Sequence, residues 1–427
     1  MPSAPAVARI PASKAAPGGA VGYRLISRLV HQPRLLRMLA GVLRTWPGIA
    51  RVFPIVARRN AVAAVFERQA SFSNAAHAPN LTAGEFAIGM EAGARHRDDR
   101  AFLQRILPSK EECDAVCAEE SDRLITLLRE CRTFDLIDDY LVPVAWQPLR
   151  RALGAAGSAF SAADGRPLPQ VVDELRILGA QLITGSSATP PVRARAEAAA
   201  AELNRRVADV VSKLQSEWAH KEPGDAVGIL RNAVGLLWVA HPATVQAGAL
   251  MMQELFGRPL EYDKLASKAR ELGVGLRTDR DFIALLRDHI LELLRFRPPF
   301  PILKRHVPRD TLFDIGTQFP VHVAAGSEMV VLTIGALFDD LAVSKGSAGS
   351  AFYQPGRKFN APGDRYLMFG MSDRACIAQH HVVEILVSAL AGLLVLPRLR
   401  WADPWFARIK YDGPIICKLR LRFDRGL

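Results

Sequence analysis

The stretch Phe369-Gly370-Met371-Ser372-Asp373-Arg374-Ala375-Cys376-Ile377-Ala378 sets a cysteine behind a loop of small and charged residues and ahead of an apolar run. That run, from Val382 to Leu396, is interrupted by Glu384 and Ser388, so it reads as a buried helix and not a membrane span. The pattern predicts a final helix that begins at Cys376. A thiolate in that position is stabilised by the helix N-terminus and by backbone N–H groups. Arg374 adds positive charge just upstream, and Phe369 supplies an apolar wall. Such a setting suits an anionic sulfur. Considered alone, however, the cysteine reads more simply as a buried structural residue beside a surface arginine.

Around this loop, a chain of 427 residues, 49% hydrophobic and 23% charged, has the composition of a globular protein with a large core. The segment 1–20 is rich in Ala, Pro and Gly and lacks the apolar centre of a signal peptide, so it is expected to be a disordered tail. A single domain is expected over 21–427. No run of eighteen apolar residues occurs, so no membrane span is expected, and the expected location is the cytoplasm. The five cysteines are sparse and odd in number, which argues against a disulfide framework. Cys113 and Cys117 share one face of an expected helix, but no nearby residue completes a metal site, and they read as ordinary thiols. A net charge of +12 and a pI near 9.8 favour an acidic partner. The charge is spread along the chain, with clusters such as 95–100 and 418–425. No nucleic-acid module and no internal repeat is present.

Helical spacing dominates from about residue 100 to 295, with helices expected over 134–154, 191–218, 225–255, 261–272 and 279–296. Pro190-Pro191 and Glu222-Pro223-Gly224 break this region into separate elements. After Pro298, short β-type runs (318–323 and 328–334) precede a loop-rich stretch from 336 to 375. The fold class expected is mainly α with a small β region (α+β). A long irregular segment inside a compact domain calls for a function.

The cysteine loop resembles the heme-ligand loop of the cytochrome P450 family, whose pattern is Phe-Gly-x-Gly-x-Arg-x-Cys-x-Gly. Phe369, Gly370, Arg374 and Cys376 fall in register, while Ser372 and Ala378 replace the second and third glycines. The family also carries a Glu-x-x-Arg motif some distance before its cysteine, and Glu292-Leu-Leu-Arg295 stands at the matching place. Carboxylate and guanidinium three apart share one helix face. The resemblance implies a third, structural partner from the loop upstream of the cysteine, and Arg357 is the candidate. Arg305, in an expected strand, and the pair His96 and Arg100 match the cations that grip the heme propionates. Arginine forks suit buried carboxylates. The resemblance covers about residues 75–400. It implies a triangular prism of helices around a buried heme b (iron protoporphyrin IX), with Cys376 as the iron ligand and Phe369 and Arg374 beside it.

The expected distal helix reads Leu236-Leu-Trp-Val-Ala-His-Pro-Ala-Thr244. Oxygen-activating relatives carry an acid–threonine pair here that delivers protons. The simplest register puts Thr244 at the threonine, Ala240 at the small residue beside the heme, and Ala243 where the acid would stand. Pro242 removes a helical hydrogen bond and is expected to kink the helix. His241 either replaces the acid as proton donor or turns towards a neighbouring helix. A shifted register likens His241-Pro242 to the Arg-Pro pair of fatty-acid peroxygenases, where the cation holds a substrate carboxylate.

Three functions are compatible with these residues. The first is a monooxygenase that inserts one oxygen atom of dioxygen into a hydrophobic small molecule, with electrons from a separate acidic ferredoxin or flavodoxin. Thr244 and His241 would then be catalytic. The second is a heme-thiolate enzyme that uses peroxide or a hydroperoxide. The third is a heme-binding protein without oxygenase activity. The implied substrate pocket is lined by Phe86, Ile88, Met90, Leu237, Ala240, Phe300 and Ile302.

Overall fold

Helices assemble around two apolar centres, and one long helix passes through both. The computed structural model describes residues 9–10, 20–46, 54–74, 81–82, 86–91, 93–221, 226–314, 320–340, 349–359, 367–405 and 408–424. The helices run α1 (Ala20–His31), α2 (Pro33–Thr45), α3 (Arg59–Glu67), α4 (Ala94–Ile106), α5 (Lys110–Leu128), α6 (Val142–Leu153) and α7 (Pro169–Thr184). They continue with α8 (Pro190–Ala208), α9 (Val211–Trp218), α10 (Ala226–Phe256), α11 (Pro259–Leu272), α12 (Arg280–Phe296), α13 (Thr333–Leu337) and α14 (Gln379–Leu394). A π-helical turn, Leu136–Leu141, leads into α6. The strands are β1 (Arg9–Ile10), β2 (Ile55–Val56), β3 (Thr133–Asp135), β4 (Leu303–His306) and β5 (Thr311–Phe313). After them come β6 (Val321–Val323), β7 (Glu328–Val331), β8 (Arg400–Trp401), β9 (Ile409–Asp412) and β10 (Ile415–Arg422).

Three small sheets result, ordered β1-β6-β5, β2-β7-β4 and β3-β10-β8, with β9 paired to β10. Pairing of β1 with β6 is parallel, Arg9 opposite His322, so part of the 1–20 segment lies in a sheet and is not a free tail. The rest of that segment before α1 lies outside the described residues, as do residues 318–319 of the expected first β run. The expected helix over 191–218 divides into α8 and α9 at Asp209-Val210, where α8 ends and Val210 leaves the helical conformation. The loop-rich stretch opens on the last turn of α13.

The larger core gathers α3, α5, α12 and α14 with the C-terminal half of α10, from Val245 to Leu255. The smaller gathers α4, α7, α8 and α9 with the N-terminal half of α10, from Ile229 to Trp238. By length and composition the 31-residue α10 could cross a membrane, but 83% of its apolar window is buried inside the fold, so its hydrophobicity is that of a core helix. Cys113 and Cys117 are fully buried, and Cys117 points its thiol at the Val144 carbonyl at 3.7 Å.

Beneath the loop-rich segment, Glu292 and Arg295 of α12 form a bidentate pair, with both N–H···O distances at 2.8 Å. Both side chains are essentially inaccessible to solvent. Arg357 donates to the same carboxylate at 3.4 Å, and the Gln354 N–H does so at 2.8 Å. Arg295 spends its remaining donors on the carbonyls of Leu337, Ser350 and Phe352. This gives the irregular chain 349–359 fixed partners on α12. Removing one member of such a buried network strands the others without a counter-charge, at a cost of about 3–5 kcal/mol. Glu292→Gln is therefore expected to lower unfolding stability by about that amount in urea titration. A loss within experimental error would show that the network does not hold this segment.

Candidate functional site

The cysteine loop closes on itself through backbone bonds. Cys376 N–H donates to the Phe369 carbonyl at 2.7 Å, and Arg374 and Ala375 donate back to Met371 and Ser372 at 3.0 Å each. Gly370 has φ +85°, and a Cβ there would sit 2.7 Å from the Arg374 carbonyl oxygen, so this position needs glycine on both counts. Ser372 also lies in the left-handed region, at φ +52°, a conformation that glycine adopts at lower cost. The helix begins later than expected, at Gln379, with Ala378 as its N-cap. Cys376 instead lies in the turn ahead of it. The Ala378 N–H there favours the anionic form of the Cys376 sulfur.

Cys376 itself is exposed. Yet the sulfur sits so deep that burial raises its pKa, against the opposing pull of the Ala378 N–H and the Arg100 charge. Open locally and deep globally, it faces an internal recess and not bulk water. The recess lies at the junction of the two cores: Phe369 and Met371 pack against the larger, Ile377 and Ala378 against the smaller. On α10, residues 239–244 lie between the smaller-core segment ending at Trp238 and the larger-core segment starting at Val245. In this interval Val239, Ala240 and Ala243 keep part of their surface open along one side of an otherwise buried helix.

Cations gather beside the loop. Arg374 Nη1 donates to His96 Nε2 at 3.5 Å, and His96 is 2% exposed. Burial, then the charges of Arg374 and Arg100, lowers the His96 pKa and leaves a neutral acceptor. Arg305, on β4, is also buried; desolvation and then Arg374 pull its pKa down to about 10. Its guanidinium donates to the Lys304 carbonyl at 2.8 Å. Burial, with the Arg100 charge, lowers the Arg374 pKa against the opposing pull of Glu91 and Asp373, and its Nη2 is buried with no hydrogen-bond partner among the described residues. Buried guanidinium groups that repel one another, one with an orphaned N–H, call for an anionic acceptor. A macrocycle with two carboxylates and a metal that accepts thiolate meets these demands, so the residues present fit a heme.

Behind this cluster stands a pair that the sequence did not reveal. Asp99 of α4 takes a bidentate grip from Arg231 of α10, at 2.6 and 2.8 Å from Nη2, and Asn232 adds a bond at 3.3 Å. It fixes the helix carrying His96 and Arg100 against the distal helix. Asp99 was visible inside His96-Arg-Asp-Asp-Arg100, but its partner lies 132 residues away.

Of the two alternatives for His241, the structure has the ring turned towards a neighbouring helix. The ring is 2% exposed, bonds the Val142 carbonyl through Nε2 at 3.2 Å, and meets Trp146 edge-on. Pro242 faces α7, where a Cβ on Gly179 would lie 2.7 Å from it. Both residues point into neighbouring helices, which removes the comparison with a substrate-binding Arg-Pro pair. The helix runs on through Pro242 as a single element. Thr244 is buried, its Oγ1 donating to the Ala240 carbonyl at 2.7 Å. Among the pocket candidates, Ile88 and Phe300 are partly open residues packed on the smaller core, and Ile302 packs on the larger. Phe86 lies so close on Gly235 that a Cβ there would clash at 2.2 Å. Leu237 and Met90 are buried, at 0% and 2% exposure, and Leu237 belongs to the smaller core.

Burial lowers the folded His241 pKa from 6.5 to about 4. The unfolded chain takes up this proton near its ordinary value, so the associated stability is present above that value and is lost as pH falls towards 4. His241→Gln, which can keep the bond to Val142 without titrating, should lose about 2 kcal/mol less than the native chain between about pH 7.5 and about pH 5. Urea titrations at both pH values read this difference. Equal losses would mean that the ring is not held neutral in the core.

No family model matches the chain, and no curated protein matches it in sequence. Solved structures do match. CalO2 aligns at 18% identity and TM-score 0.70, covering 96% of this chain and 99% of its own. P450BioI, in complex with hexadec-9Z-enoic acid ligated acyl carrier protein, aligns at 15% identity and TM-score 0.71, covering 94% and 100%. Substrate-free CYP109E1 from Bacillus megaterium aligns at 16% identity and TM-score 0.66, covering 90% and 98%. With nearly the whole of each chain superposed, and with the cysteine loop and cation cluster as described, the chain has the cytochrome P450 fold.

Proposed function

We propose that this chain binds heme b through the Cys376 thiolate and acts as a monooxygenase on a hydrophobic small molecule, with electrons from a separate acidic ferredoxin or flavodoxin. The observation that carries this reading is Cys376 itself: locally exposed, deeply placed, and held by the Ala378 N–H at the junction of the two cores. When bound, heme supplies the oxygen activation, with the thiolate as its electron-donating ligand. The chain does the rest. Arg305, Arg374, Arg100 and His96 hold and orient two carboxylates, and the buried arginines supply charge in a site of low dielectric. Ala378 N–H and the Arg100 charge favour the anionic sulfur.

Val239, Ala240 and Ala243 offer small apolar surface on the open side of α10, and Ile88 and Phe300 extend it. This lining favours an apolar substrate and excludes bulk water. Thr244 commits its hydroxyl proton to the Ala240 carbonyl, which leaves the Oγ1 lone pairs to hold a water. The net charge of +12 supports an acidic electron donor.

One observation favours a second reading, use of peroxide without redox partners. Ala243 stands where a carboxylate would deliver protons, and His241 is turned into α6, so this stretch of α10 presents no acid to the open side. Turnover separates the two readings. Product should form with NAD(P)H, a reductase and ferredoxin, and not with hydrogen peroxide alone. Thr244→Ala should reduce product per electron pair consumed by about tenfold or more. Equal turnover with peroxide alone, insensitive to Thr244→Ala, would overturn the monooxygenase reading in favour of the second.

A further inference from the structure

Lys and Arg are spread along the chain, but at one end no acidic residue offsets them. No Asp or Glu precedes Glu67, whereas ten Lys and Arg do, in a protein of net charge +12. Within that stretch α2 is apolar on two adjoining sides, one inward and one outward. Leu36 and Ala40 face inward and join the larger core, with Leu43 packed against it. Arg37 donates to the Phe296 carbonyl at 3.0 Å and Arg44 to the Gly335 carbonyl at 2.8 Å, which fixes this inward side on the body of the fold.

The other side carries Leu35, Met38, Leu39, Val42 and Trp46, at spacings that keep them on one helical stripe. All five are exposed, Met38 at 60% and Trp46 at 66%. On α1, Leu25 is 54% exposed between the exposed Arg24 and Arg28, and Arg34 flanks the stripe on α2. A helix this apolar on its outer side, already anchored on its inner side, has a second burial still to make.

We infer that the outer face of α1 and α2 docks on an anionic lipid surface, lying in the interface without crossing it. Charge decides between occupants. A second copy on a two-fold axis would set these two helices, which carry Arg and no Asp or Glu, against themselves, with like charges opposed. An anionic bilayer offers apolar depth for the leucines and Met38, an interfacial level for Trp46, and headgroup charge for Arg24, Arg28 and Arg34. The test reads vesicle binding alone, so it does not depend on the proposed reaction.

The full-length protein should co-sediment with vesicles of phosphatidylcholine and phosphatidylglycerol. Binding should be about tenfold weaker or more to pure phosphatidylcholine, and should weaken as salt is raised. Met38→Ser combined with Trp46→Ser should cut binding to anionic vesicles by about tenfold, because the stripe loses its two most exposed apolar side chains. Far-ultraviolet circular dichroism should be unaltered, both residues being on the surface. Trp46→Phe should remove a blue shift of tryptophan emission that the native protein shows on vesicles. Three results would each overturn the inference: no binding to anionic vesicles, binding unaltered in the double variant, or a concentration-dependent dimer lost in that variant while vesicles are ignored.

Discussion

A sulfur anion can be kept inside a protein only where donors and positive charge meet it, because burial otherwise drives the thiol to keep its proton. At Cys376 burial does push that way, and the chain supplies the Ala378 N–H and the Arg100 charge in opposition. The rest of the architecture serves this one position. Two cores meet without closing, and the long apolar helix that joins them leaves Val239, Ala240 and Ala243 partly open at the junction. Gly370 gives the loop its tight return, and Ser372 accepts a left-handed backbone to complete it.

Two sets of buried charge surround that position and answer different needs. Glu292, Arg295 and Arg357 satisfy one another and the nearby carbonyls, so they act as a lock between α12 and the irregular segment before the loop. Arg305 and Arg374 are not satisfied in the same way: they repel each other, and Arg374 keeps a buried N–H without a partner among the described residues. A closed network reads as structure, and an open one as a site awaiting an anion. Between them, Asp99 and Arg231 tie α4, which carries His96 and Arg100, to the distal helix.

Much of this was legible in the sequence, for identifiable reasons. Glycine and cysteine at fixed offsets declare a tight loop, and Glu292-Leu-Leu-Arg295 declares a shared helix face, because both depend on local spacing. Helical periodicity located α10, α11 and α12 to within a few residues. What sequence spacing could not show is where a helix face points after packing. His241 sits near Thr244 along the chain, yet Trp146 and the Val142 carbonyl claim its ring. Leu237 likewise went to the core, and Arg231 found Asp99 across a long loop of chain. The cysteine was expected to open the last helix, but the helix starts after it, at Gln379.

The central claim is that Cys376 is held as the thiolate ligand of a heme, and absorption spectroscopy tests it directly. In freshly purified holoprotein, reduction under carbon monoxide should produce the strongly red-shifted band of a thiolate-ligated heme, and Cys376→Ser should abolish it. A native protein without that band, or a Cys376→Ser protein with an unaltered spectrum, would contradict the account.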